Sequence, residues 1–152
     1  MKLAYVFSHS QTASAFFKPH FRDLANRGHQ IAVVAGIDEH SVELEQFLQE
    51  LGVAFMAVKV SRRYGHTLPV EMLRVIKIVK QLYRAGYKII TNTPKVSFSC
   101  AVGSWMGLFE VDLHYCHGLI SISAAGRKGV VIRVLEKFVL VNTKSVIFVS
   151  QT

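Results

Sequence analysis

The chain has 152 residues, 51% of them apolar, and a formal net charge of +8. That length suits one domain with a sizeable core, and the apolar content excludes disorder. The longest apolar candidate, Gly129 to Val141, is interrupted by Arg133, Glu136 and Lys137, so no membrane span is expected, and Cys100 and Cys116, with no Cys-x-x-C, suggest neither a zinc site nor a disulfide framework.

In chain order, Leu3 to Phe7 is an apolar run of strand length, too short for a signal sequence; a leaderless chain with two ordinary thiols fits a cytoplasmic setting. A polar loop, Ser8 to Thr12, leads into a helical pattern through Phe17, Phe21, Leu24 and Ala25, with Pro19 in its first turn and Gly28 at its end. Gln30 to Ala35 reads as the second strand. Ser41 is positioned to cap a helix carrying Val42, Leu44, Phe47, Leu48 and Leu51, and Val53 to Val60 follows as the third strand.

After a loop with Arg62 and Arg63, a helix is expected from about Pro69 to Ala85. Its apolar side is assigned to Leu73, Ile76, Val79 and Tyr83, with Arg74, Lys77, Gln81 and Arg84 opposite. Tyr87 to Thr91 is a fourth strand, Lys95 to Met106 a buried helix, Val111 to Cys116 a fifth strand, Val130 to Leu140 a helix and Ser145 to Val149 a sixth strand. Strands that are apolar throughout, alternating with helices, predict an α/β, Rossmann-like, doubly wound parallel sheet of about six strands in three layers, forming a single domain over residues 1–152. The first loop has no glycine, which argues against a dinucleotide cofactor.

In such a sheet, ligands bind beyond the carboxyl ends of the strands. Ser8 to Thr12, Arg62-Arg63, Thr91 to Lys95 and His117-Gly118 all fall at such ends and should converge on one rim. Charge adds a constraint. Between Ser61 and Lys95 eight basic residues stand against one acid, Glu71, which suggests an anionic partner. Aromatic residues do not interleave with these cations, which disfavours nucleic acid. The cationic face of the Pro69–Ala85 helix reads as the solvated back of a sheet-covering helix, with peripheral contact to an anionic membrane as the sharper alternative.

Asn92-Thr-Pro-Lys-Val96, a small-residue helix, and then Tyr115-Cys-His-Gly-Leu119 carry a resemblance. Together with Phe16-Phe-Lys-Pro-His20, Leu24 to His29, Ser61-Arg-Arg63 and Val146 to Ser150, they resemble the N-terminal, acceptor-side domain of family 4 glycosyltransferases, of GT-B architecture. The resemblance implies transfer of a sugar from a nucleotide-sugar donor to a glycan or lipid-linked acceptor in polysaccharide biosynthesis, without metal or other cofactor. The donor would be held mostly by a C-terminal domain that this sequence does not contain, so the chain is expected to be half of an enzyme and inactive alone. The other reading is a non-catalytic binding module that works with a partner chain. Thr91 stands where family members often carry histidine.

His117 corresponds in the resemblance to the active-site histidine, and Gly118 permits close approach of backbone to ligand. Substrate contacts are expected from Ser8, His9, Ser10, Arg62, Asn92, Thr93 and Lys95, the last at a helix start where an anion is favoured. For Lys95 a solvated first-turn lysine is the competing reading, and for Thr93 a plain turn residue before Pro94. His114 and His117 do not make a metal pair, because spacing by three on a strand sends them to opposite faces.

Overall fold

Each strand of the centre must bury both faces, and the sequence supplies residues for both. In the computed structural model, which describes residues 1–63, 65–117 and 125–149, the strands are β1 (Lys2–Phe7), β2 (Gln30–Gly36), β3 (Ala54–Val58), β4 (Lys88–Thr91), β5 (Val111–Cys116) and β6 (Thr143–Phe148). They form one sheet in the order β3-β2-β1-β4-β5-β6, parallel at every pairing. The alternation of side chains divides the core in two. Leu3, Tyr5, Phe7, Ile31, Val33, Ala35 and Ile90 face one side; Ala4, Val6, Ala32, Val34, Val58, Ile89 and Val111 face the other.

The first side is covered by α1 (Ser10–Phe16), α2 (Lys18–Asn26) and α3 (Ser41–Glu50), through Phe17, Phe21, Leu44 and Leu48. Phe7, Phe21, Leu44 and Leu48 are wholly buried, each contributing roughly 1.5–3 kcal/mol relative to exposure. The second side is covered by α4 (Leu68–Arg84) and α5 (Pro94–Trp105). α6 (Gly126–Val141) lies along α5 and β6, with Phe98 and Phe138 in ring contact at 5.8 Å.

The expected fold class holds, and four local expectations change. Ser10 is not in a loop: it opens α1, and the chain restarts as α2 with Pro19 in the first turn, where a missing N–H does no harm. Ser41 is the first residue of α3 rather than a cap; its hydroxyl accepts from the Asp38 N–H at 2.8 Å. α6 begins at Gly126, four residues earlier than expected. Leu73, assigned to the apolar side of α4, is 66% exposed, whereas Val75 and Leu82 are buried with Ile76 and Val79. The buried stripe is rotated because Glu71 also points inward. No helix among the described residues is long and apolar enough to cross a membrane.

Candidate functional site

With every strand parallel, the residues after β1, β3, β4 and β5 share one edge of the sheet. β1 and β4 are neighbours there although they are far apart in sequence, so the crevice of a doubly wound sheet opens between them. Ser8, His9 and Ser10 follow β1, Arg62 follows β3, Asn92, Thr93 and Lys95 follow β4, and His117 follows β5. Gly118 lies outside the described residues.

Ser8 and Thr93 form the seam of the crevice. The Ser8 N–H donates to Thr93 Oγ1 at 2.6 Å, and that hydroxyl donates to Ser8 Oγ at 2.8 Å. Ser8 Oγ accepts the Val96 N–H at 3.3 Å, so a residue of β1's exit caps α5, whose own Thr93 makes no side-chain cap. Ser10 is fully buried, donating to the Gly36 carbonyl at 2.9 Å and accepting from Ser41 Oγ at 3.0 Å.

Lys95 is inside the rim rather than on it. Its ammonium, 7% exposed, donates to the carbonyls of Ser61 at 2.7 Å and Arg63 at 3.0 Å and pairs with Glu71 Oε2 at 2.7 Å. Glu71 in turn accepts from the Ser61 N–H at 3.1 Å and Thr67 Oγ1 at 2.9 Å. Burial pushes the Glu71 carboxyl up, but the bonds from Lys95, Ser61 and Thr67 outweigh it and hold the pKa at about 2. The pair therefore fastens the loop after β3 to the start of α5.

Four candidates keep polar groups that this internal network does not consume. His9 is half-buried; burial first, and then the charges of Arg62 and Lys95, lower its pKa against the opposing pull of Asp38, favouring the neutral ring. Arg62 is exposed. His117 is exposed and rests edge-on against Phe17, with ring centroids 6.2 Å apart. Asn92 is 2% exposed, and among the described residues neither its side-chain oxygen nor its nitrogen has a hydrogen-bond partner. An orphan amide of this kind costs roughly 1–3 kcal/mol per group, and native proteins rarely carry one without a use.

His114 sits on the opposite face from His117, as their spacing predicts. It is 7% exposed, with Nδ1 3.0 Å from Thr91 Oγ1 and 3.2 Å from Ser97 Oγ. Burial lowers its pKa, a bond with the Thr91 backbone raises it, and the charge of His117 lowers it further. Thr91, Ser97, His114 and Glu71 were not among the expected site residues. Glu71 had one legible signal, as the single acid of a basic block. Among the described residues, no cluster of three His, Cys, Asp or Glu side chains is arranged to hold a metal ion.

No family model matches the chain, and no curated protein matches it in sequence. Solved structures do match in fold. MurG of Acinetobacter baumannii aligns with a TM-score of 0.58 at 12% identity, over 99% of this chain and 42% of that one. HepE of Anabaena, solved in complex with UDP, aligns at 0.58 and 14% identity, over 96% and 37%. The UDP-GlcNAc 2-epimerase of Neisseria meningitidis, bound to UDP-GlcNAc, aligns at 0.56 and 14%, over 91% and 39%. The chain thus spans about two-fifths of the length of these proteins, and what it shares with them is a GT-B-type, Rossmann-like domain fold.

Proposed function

We propose that this domain is the acceptor-side wall of a family 4-type GT-B glycosyltransferase, which passes a sugar from a nucleotide-sugar to a hydroxyl of a lipid-linked or polysaccharide acceptor. The observation that carries the reading is Asn92: a buried amide with both ends unpaired, immediately after β4 and beside the β1/β4 crevice. A sugar hydroxyl can donate to the amide oxygen and accept from its nitrogen, so a hydroxylated ligand satisfies both groups at once. His117 and His9 flank the same edge. An imidazole there orients the attacking hydroxyl and eases proton movement. The similar structures that hold UDP or UDP-GlcNAc support a nucleotide-sugar as the second substrate, which the family resemblance would assign to a facing domain. Holding both substrates within near-attack distance needs both walls, so this domain alone should bind acceptor and transfer nothing.

The test combines binding and turnover. Glycans added to the isotope-labelled domain should shift the Asn92 side-chain amide and the His117 ring signals. With a donor-binding domain supplied, His117→Ala should lower turnover by roughly 10²-fold or more. Shifts confined to other faces would refute the site. Glycan binding without turnover under those conditions would leave a non-catalytic binding module.

A further inference from the structure

A second surface lies away from the rim. Among the described residues β3 is an outermost strand, paired with β2 alone, and the flank of α4 overhangs its free edge. Between them runs an open groove of about 500 Å³, with Val58 and Ile78 in its floor and Lys59, Arg74, Lys77 and Gln81 around it. The α4 residues recur at three-and-four spacing, so one flank of the helix supplies them. No acidic residue lines the groove, and among the described residues none of its three cations forms an ion pair.

Part of the groove's backbone is also uncommitted among the described residues. The Val58 carbonyl accepts the Ile37 N–H at 3.1 Å, in step with the Gly36–Val58 register. In a parallel ladder, a residue sends its N–H and C=O to the same neighbour, and the next residue sends both the other way. Ala57 and Lys59 therefore direct their N–H and C=O to the open side, and both residues are exposed. The edge is a template for another strand.

We propose that this groove docks an extended acidic segment of a partner polypeptide, which adds to the sheet beside β3. A strand laid there places every second side chain, roughly 6.6 Å apart, on the α4 side. Carboxylates at those positions meet Arg74 and Lys77, while main-chain bonds to Ala57 and Lys59 set the register. Lys59 selects against a neutral or basic strand, which gains nothing for burying it. A lipid headgroup answers the cations but not the ladder. This inference does not depend on the proposed transferase role.

The test uses the full, isotope-labelled chain and a capped peptide of about eight residues alternating glutamate and valine. Amide exchange at Ala57 and Lys59 should slow roughly tenfold or more on binding. Two N-methylated peptides, one methylated at every glutamate and one at every valine, keep the charge; whichever loses the donors that face β3 should bind roughly tenfold more weakly. Lys77→Glu with Arg74→Glu, both at exposed positions, should weaken the parent peptide by a similar factor while leaving the thermal midpoint in place. Binding of both N-methylated peptides as tight as that of the parent would reduce the site to charge attraction and overturn the proposal. So would binding to phosphatidylglycerol vesicles without peptide protection of Ala57 and Lys59, or no peptide binding at about 1 mM.

Discussion

A lysine ammonium buried without a partner costs several kcal/mol, and for Lys95 Glu71 and two carbonyls of the loop after β3 offset that cost. Lys95→Met should therefore destabilise the domain by about 3–5 kcal/mol, because it leaves a buried carboxylate unpaired. Adding Glu71→Leu should recover much of the loss; urea unfolding of the single and double variants measures the coupling. The pair also has a pH signature. With its pKa depressed from 4.5 to about 2, Glu71 contributes stability that is complete above about pH 4.5 and is lost as pH falls towards 2. Sequence reasoning saw Lys95 as an anion binder or a solvated lysine. Its real partner lies on another helix, and finding it requires the rotation of α4. Periodicity had placed Leu73 on the buried side with Ile76 and Val79, since it scores apolar residues and cannot anticipate an inward-facing glutamate.

At the scale of elements, the strands were legible because both faces of each central strand are apolar, a demand that only a doubly covered parallel sheet makes. The junctions were not. The end of β2 passes so close to the exit of β1 that a Cβ on Gly36 would lie 1.8 Å from the Ser8 carbonyl oxygen. Nothing in the local sequence signals this, because the constraint comes from the distant exit of β1, tied to Gly36 through the Ser10 hydroxyl 26 residues away. Gly36→Ala must therefore displace backbone, not a flexible side chain. We expect a loss of about 2 kcal/mol or more, with amide shifts concentrated at Ser8 and Ser10. A stable variant with an unmoved Ser8 would contradict that packing.

The whole molecule carries three histidines whose burial lowers their pKa below 6.5: His9, His20 and His114. His20 pairs with Tyr5 Oη at 2.7 Å inside an aromatic group with Phe17 and Phe21. A depressed histidine leaves the folded state binding fewer protons than the unfolded chain once pH drops below 6.5. Stability should be level above that pH and decline below it, well before Glu71 titrates. Thermal midpoints from pH 7.5 to 5 would show this, and His114→Gln should flatten the decline. At this scale the candidate site was half legible. Its edge followed from the fold class, and the positions of His9, Arg62, Asn92 and His117 came with it. The division of labour within the edge did not, because Ser8, Ser10, Thr93 and Lys95 are consumed by partners that only the folded sheet brings near.

The seam between Ser8 and Thr93 joins residues 85 positions apart. β1 can pair with β2 as soon as some 30 residues exist, but its other neighbour is not available until β4 has been made. Closing so long a stretch of chain costs more entropy than closing the β1–β2 connection, and contacts of that range slow folding. The crevice should therefore be assembled late. In a refolding time course, amides of β1 facing β2 should gain protection before those of Ser8 and Asn92. A ligand bridging the two sides of the seam would then hold together contacts that form after the rate-limiting step, and would lengthen the lifetime of the folded state more than it speeds its formation.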